Sequence, residues 1–311
     1  ILHSTENYGN GLYHKWFNFG RSGMKICTAC GEQFSSTEWT CPACKHTPEK
    51  IDRYLMFAPK LAETSPGFEA VFFNQLVKLE ASNFWFCSRN RLIIWALRHY
   101  FSDISNFLEI GCGTGYVLSG IESAFPKFTL FGSEIFTTGL EFASQRLSRT
   151  TLFQMDARQI PFQDEFDVIG AFDVLEHIQE DTGVLAEIYQ AVKSGGGLLL
   201  TVPQHPWLWS QADDYAHHVR RYSARELKTK VEKAGFKVIR ITSFISLLLP
   251  LMVLSRSQRQ QARDYDATSE FRISGWMNSI LTSILDLERK LIQIGVRFPA
   301  GGSLLLIAKK Q

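Results

Sequence analysis

From Asn106 onward, short apolar runs alternate with longer amphipathic ones, and few folds satisfy that alternation. Strands are expected at 106–111, 128–134, 151–155, 166–172, 196–203, 236–243 and 303–309, and helices at 115–124, 137–148, 181–193 and 223–234. Strands that alternate with helices are the pattern of a doubly wound, mostly parallel sheet. In such a sheet a ligand lies beyond the carboxyl ends of the strands, near the switch point. The first strand ends there in FLEIGCGTG, residues 107–115, with glycines at 111, 113 and 115. Glycine lets backbone pass close beneath a ligand and takes φ values that other residues avoid. The Gly-x-Gly-x-Gly spacing is one residue shorter than the dinucleotide fingerprint, which counts against a nicotinamide oxidoreductase.

Acids close the next strands. Glu134 ends FTLFGSE, where a carboxylate can accept both hydroxyls of a ribose. Asp156 and Ala157 follow the third strand, where a carboxylate can accept from an adenine amine; alone, Asp156 would equally suit a cap or an Asx turn. The fourth strand runs into a turn carrying Asp173, Glu176 and His177.

Taken in order, LEIGCGTG, GSE, MDARQIPF, FDVIGAFDVLEHI and GGGLLLTVP, over roughly residues 106–205, resemble the class I S-adenosylmethionine-dependent methyltransferases. The terminal GGSLLLIAKK resembles that family's antiparallel last strand. The resemblance implies an α/β, doubly wound Rossmann-like sheet of seven strands in the order 3-2-1-4-5-7-6, with S-adenosyl-L-methionine as methyl donor. By motif match, Gly111, Cys112 and Gly113 approach the methionine end and Glu109 orients their loop. Glu134 and Ile135 take the ribose, Asp156 and Ala157 the adenine, and Phe172 lies near the sulfonium. His177 is a candidate catalytic group, though a histidine at a helix start also serves as a cap. Ubiquinone-type O-methyltransferases carry a similar Glu-His turn that can hold a divalent ion, and Asp173, Glu176 and His177 could form such a set.

Ahead of this body, CTACGEQFSSTEWTCPAC places Cys27, Cys30, Cys41 and Cys44 as two Cys-x2-Cys turns. Two such turns close a thiolate tetrahedron around a soft divalent ion, most plausibly a structural Zn2+, and four thiolates leave no open position for catalysis. The pattern resembles a zinc ribbon. Cys87 and Cys112 stand apart, so this is metal spacing in a reducing compartment and not a disulfide framework. The expected organisation is a ribbon and N-terminal tail over 1–50, a linker with capping helices over 51–105, and the methyltransferase domain over 106–311. Pro48, Pro59, Pro66 and Gly67 mark the linker as irregular, and two helices split near Ser82 or Asn83 are expected in 68–101. On the second, Arg89 is a candidate for gripping a carboxylate of the cofactor.

After the fifth strand, VPQHPWLWSQADDYAHHVRRYS spans 202–223, and residues 204–222 of it read as an acceptor loop, long and chemically loaded. His217 or His218 could take a proton, Arg220 and Arg221 could hold a phosphate or carboxylate, and Trp207, Trp209 and Tyr222 could wall an acceptor. Alternatively Arg220 pairs with Asp213 or Asp214, and Tyr222 packs under the following helix. The stretch HHVRRYS resembles a methyltransferase subgroup tied to glycan, lipid or secondary-metabolite assembly.

A helical insertion over 244–302 precedes the last strand. Its first part is apolar and then carries Arg256, Arg259 and Arg263, so residues 244–263 are a candidate membrane-peripheral contact. Its second part puts Met277, Ile280, Ile284, Leu287, Leu291 and Ile294 on one stripe, expected to pack internally. The longest uncharged apolar run, 241–255, is shorter than the roughly 20 residues of a membrane span and contains Pro250, so a soluble, cytoplasmic protein is expected. Net charge is only +2, which disfavours nucleic acid as partner. The leading expectation is a methyltransferase acting on a small-molecule or lipid/glycan-linked acceptor through an oxygen nucleophile. An RNA methyltransferase using the ribbon, or a cofactor-binding scaffold without turnover, are the alternatives.

Overall fold

The structure, a computed structural model, describes residues 23–62, 71–259 and 273–311. Residues 1–22 of the N-terminal tail, Pro66 and Gly67 of the linker, and Arg263 of the insertion lie outside the described residues.

The described residues begin with two small hairpins: β1 (Met24–Ile26) pairs with β2 (Gln33–Phe34), and β3 (Glu49–Ile51) pairs with β4 (Tyr54–Met56). Two helices follow, α1 (Val71–Leu79) and α2 (Phe84–Tyr100). The break between them falls where expected, because Asn83 caps α2 by accepting from the Trp85 amide at 2.9 Å. The alternating body then runs β5 (Asn106–Ile110), α3 (Tyr116–Ala124), β6 (Thr129–Glu134), α4 (Thr137–Arg146), β7 (Thr151–Gln154), β8 (Phe162–Gln163), β9 (Phe166–Phe172), α5 (Asp181–Ala191) and β10 (Val192–Pro203). The acceptor loop holds a short helix, α6 (Gln211–Tyr215), and leads to α7 (Ala224–Lys233), which Ser223 caps at the Glu226 amide. The chain closes with β11 (Phe236–Phe244), α8 (Leu249–Arg259), α9 (Gly275–Gln293) and β12 (Ser303–Lys310).

The main sheet has the order β11-β12-β10-β9-β5-β6-β7-β4-β3. Read from β7 to β11 it is the expected seven-stranded order, with β12 antiparallel to both of its neighbours. Two more strands lie beyond it. β4 adds parallel to β7, with Leu55 opposite Phe153, and β3 closes the edge as its hairpin partner. A linker beginning at residue 51 is therefore a correction: the Glu49–Met56 hairpin belongs to the sheet. Glu49 and Lys50 on the outer strand are exposed charges, which suit an unpaired edge.

Nor does the cysteine module stand apart. β1 pairs with β8 as well as β2, and Trp39 is buried between Phe57 and Phe162, with ring centroids 4.5 and 5.4 Å away. Trp39 belongs to the same apolar cluster as Leu108, Ile169 and Leu198 of the central strands. On the other face of the sheet, α2, α3, α8 and α9 contribute to a second cluster, with Ile93, Leu118, Leu248 and Leu285 among its buried members.

Helix α9 departs from its expected stripe. It buries Leu281, Leu285, Glu288 and Ile292 and leaves Ile280, Leu287 and Ile294 exposed. Among the described residues, no helix is long and apolar enough to cross a membrane.

Candidate active site

The carboxyl ends of β5, β6 and β9 meet beneath a loop of three left-handed glycines. Gly111, Gly113 and Gly115 all have left-handed φ, +68, +52 and +75°. A Cβ on Gly111 would lie 2.5 Å from Val174 Cγ2, and one on Gly115 would lie 3.1 Å from the Ala143 backbone. A Cβ on Gly113 would have Phe73 at 3.6 Å as its near neighbour, so α1 roofs the loop.

Glu134, buried at the end of β6, ties this loop to the next. Its Oε2 accepts from the Gly113 amide at 2.9 Å, and its Oε1 accepts from the amides of Ile135 and Phe136 at 2.8 and 3.2 Å. Burial raises its pKa, and those three amides work against the rise. A carboxylate offers about four acceptor positions, so three amides leave room for one more donor such as a ribose hydroxyl. Glu109 is 2% exposed and its Oε2 has no hydrogen-bond partner. Desolvation pushes its pKa well up, against the pull of Arg89. Glycine backbone free of side chains, a buried carboxyl oxygen without a partner and a partly used carboxylate are a donor and acceptor set that an adenosyl amino acid fits. Cys112, Ala157 and Phe172 line the same region buried, and Ile135 is half-buried.

Two of the expected cofactor residues have partners of their own. Arg89 forms a close ion pair with Asp173 and stacks on Trp85, with 4.4 Å from its guanidinium carbon to the ring centroid. Asp156 accepts from its own turn at the Arg158 amide (2.9 Å) and from the Arg158 side chain (3.0 Å to each oxygen). The Asx-turn alternative for Asp156 is thus the one seen here.

The acceptor loop folds over the end of β9 and divides into scaffold and site. Arg221 is buried, donating to Asp213 Oδ1 at 2.7 Å and to the Gln204 carbonyl at 3.0 Å. Tyr222 is fully buried, donating to Asp181 at 2.7 Å and lying 3.2 Å from the Leu175 carbonyl. Arg220 pairs with Asp181 at 2.6 Å. Their assignment to the acceptor is corrected for that reason: Tyr222 fastens the loop to the 3-10 turn Leu175–His177 and to α5, Arg220 fastens it to α5, and Arg221 braces the loop internally on Asp213 and Gln204. The alternative pairing of Arg220 with Asp213 or Asp214 is also replaced, by Asp181. Trp207 remains exposed, stacked on His205, and Trp209 donates to Asp214 at 2.8 Å.

The histidines separate similarly. His217 is exposed with φ +54°. His218 is held: its Nδ1 lies 2.9 Å from Asp213 Oδ1. An ionised carboxylate only accepts, so Nδ1 carries a proton, and Nε2 is the nitrogen turned away from Asp213. Asp213 stays ionised, its carboxyl brought down to about 2 by the His218 hydrogen bond and the Arg221 charge, which outweigh its burial. The His177 ring meets the His218 ring edge-on at 4.8 Å. Loss of water pushes His177 down to about 3, against an opposing hydrogen bond with the Ala216 backbone. Glu176 is fully buried with neither carboxylate oxygen hydrogen-bonded. One ligand atom each from Glu176, His177 and His218 lie within 4.8 Å of one another. Asp173, expected in that set, is drawn away by Arg89 and replaced by His218.

Sequence reasoning missed the roof. Phe73 sits over Gly113 and also meets Phe136, while Phe72 lies 4.5 Å from Tyr215 of α6, so α1 spans the glycine loop and the acceptor loop. Glu80 latches it, accepting from Thr114 at 2.6 Å and pairing with Arg146 at 2.9 Å. The paired phenylalanines of VFFNQL were the available signal.

At the other end, Cys27 and Cys44 sulfurs lie 3.5 Å apart, and Cys30 and Cys41 sulfurs 3.7 Å apart. Zinc–thiolate bonds of about 2.3 Å give a tetrahedron with edges of about 3.8 Å, so the four sulfurs fit that ion.

A seven-stranded sheet of this order, with a glycine loop and a strand-end acid at its switch point, defines the class I methyltransferase fold. Residues 45–241 match the family model described as a methyltransferase domain, and the chain belongs to that family. A Mycolicibacterium smegmatis protein named as an S-adenosylmethionine-dependent methyltransferase is 26% identical over 163 residues, 51% of this chain and 62% of its own length. The O-methyltransferase cnsE of Penicillium expansum is 28% identical over 158 residues, 47% of this chain and 56% of its own. The chain spans less than two thirds of either relative. Among solved structures, a chain of the complex between the Haloferax volcanii Trm112 methyltransferase activator and a methyltransferase aligns with a TM-score of 0.51 at 16% identity, covering 77% of this chain and 96% of its own.

Proposed function

We propose that the chain transfers a methyl group from S-adenosyl-L-methionine to an oxygen nucleophile on a small-molecule or lipid/glycan-linked acceptor, and that the four-cysteine module holds one structural zinc ion. The observation that carries the reading is the pairing of the three left-handed glycines with Glu134 on one side of the site and the Asp213-held His218 on the other.

When bound, the cofactor supplies a methyl carbon on an excellent leaving group, so alignment and exclusion of water carry much of the rate. The glycine loop provides close backbone approach, Glu134 a remaining acceptor position, and Glu109 a buried Oε2 without a partner. Phe73 and α1 keep water from the loop. A hydroxyl acceptor must also lose its proton, and His218, oriented through Nδ1 by Asp213, is the base that supports this step. Relatives named as O-methyltransferases support oxygen as the nucleophile. The joining of the cysteine module to the sheet supports a structural role for it over RNA capture.

The test is incubation with methyl-labelled S-adenosylmethionine and either a polar-lipid or a water-soluble metabolite extract. Label is expected in one acceptor fraction, and His218→Asn is expected to lower its appearance by roughly 100-fold or more. Full turnover in that variant would remove His218 as the base.

A further inference from the structure

Among the described residues, the large exposed apolar side chains gather in two stretches of the chain, the acceptor loop and the insertion. Of the large ones left exposed among the described residues, only Ile51 and Ile239 lie outside the acceptor loop and the segment from Leu247 to Val296. Just ahead of α8, Leu248 is buried and Leu247 exposed; within the helix Met252 packs half-buried against the core while Leu251, at 51% exposure, and Val253 are exposed. Helix α9 has a second apolar face opposite its buried one: Trp276 (64%), Ile280, Leu287 and Ile294 (79%). Their spacing of four, seven and seven residues keeps them on one side of the helix.

The two helices are one unit joined to the acceptor loop. The Glu288 carboxylate of α9 accepts from the amides of Ile245, Ser246 and Leu247 at 2.6–2.7 Å, fixing the start of α8. At the other end Arg256 donates to the Leu208 carbonyl, beside exposed Trp207.

The charges on these helices have one sign on the outside. The two acids described there, Asp286 and Glu288, are turned inward or neutralised: Glu288 is buried on those amides, and Asp286 pairs with Arg91 at 2.8 Å and Arg289 at 3.2 Å. Lys290 and Arg297 are exposed. Outward leucine, isoleucine and tryptophan flanked by cations, with no exposed acid among the described residues of the two helices, match the face of an interfacial helix against anionic headgroups. A large apolar face, where the other described residues expose few large apolar side chains, marks an interaction site.

We infer that the outer faces of α8 and α9 dock on the surface of an anionic membrane, with the acceptor loop beside the bilayer. The inference takes from the proposed function only the location of the acceptor mouth, and it makes a lipid-linked acceptor the substrate class. A shallow contact of this kind needs no spanning helix, because each inserted side chain contributes its own apolar burial.

The test is co-sedimentation of the full chain with phosphatidylglycerol-containing vesicles and with pure phosphatidylcholine vesicles, at low and high salt, alongside a light-scattering mass. Binding to the anionic vesicles is expected, weakened by salt, with a blue shift in tryptophan emission. Leu251→Glu and Ile280→Glu are each expected to weaken it roughly ten-fold or more, the scale of one lost apolar anchor. Leu251→Asn, gentler on folding, should weaken it less. S-adenosylmethionine affinity should be unchanged in all three, since none touches the glycine loop. No vesicle binding by a chain that still binds S-adenosylmethionine would overturn this inference alone. So would a stable dimer broken by Ile280→Glu, because the face would then belong to a second copy.

Discussion

Gly111 and Asp173 close neighbouring strands in the same left-handed conformation, φ +68 and +57°, for different reasons. At 111 a side chain has no room, since its Cβ would strike Val174. At 173 a side chain is present and used: it turns out of the strand to meet Arg89. The glycines and Glu134 were legible because their roles follow from position at a strand end. The partners of Arg89 and Asp156 were not, because an ion pair between residues 89 and 173 depends on tertiary placement that no local pattern encodes. The same applies to His218, whose value lies in Asp213 behind it. His177 gives a residue-scale prediction. Its folded pKa, about 3, is below the unfolded value of 6.5. Below pH 6.5 the unfolded chain therefore gains a proton that the folded chain refuses, and stability falls as pH drops toward 3. Denaturant melts between pH 4 and 6 should show a slope of up to about 1.4 kcal/mol per pH unit from this ring, absent in His177→Leu. An identical slope in the variant would contradict the burial of His177 as its cause.

Among elements, the alternating strands and helices were readable from apolar periodicity, while the two hairpins before residue 57 were not. Each strand there has only two or three residues, too few for a period, and what makes them strands is the neighbour: β8 for the first and β7 for the second. The insertion was visible as helical, but which stripe of α9 would be buried turned on α2 beside it. Arg221 and Tyr222 read as binding residues because the loop is loaded, yet Asp213 and Asp181 claim them for the scaffold. Because β1 is stitched to β8 and Trp39 fills the shared core, metal loss should be felt well beyond the four thiols. Protein purified without chelator should carry one zinc per chain. Cys41→Ser should lower unfolding free energy by about 3 kcal/mol or more in a single transition. Zinc content near zero, or an early transition confined to the module with the rest unmoved, would contradict that coupling.

At the scale of the whole molecule, the sheet order followed from the motif set. The sheet's extra edge, the roof of α1 and the outward apolar face did not, since each is a property of assembled surfaces and not of any segment. Together they describe a chain whose glycine loop, acceptor loop and insertion converge at one end of the sheet. The central claim is that this end holds an adenosyl sulfonium and not a dinucleotide. Calorimetric titration of the intact chain with S-adenosylmethionine, S-adenosylhomocysteine and NADH tests it most directly, with Gly111→Ala as the control for the loop. The account predicts one site per chain for the first two compounds, at least ten-fold weaker in Gly111→Ala, and no heat from NADH. Saturable binding of NADH, or no binding of S-adenosylmethionine by folded protein, would contradict it.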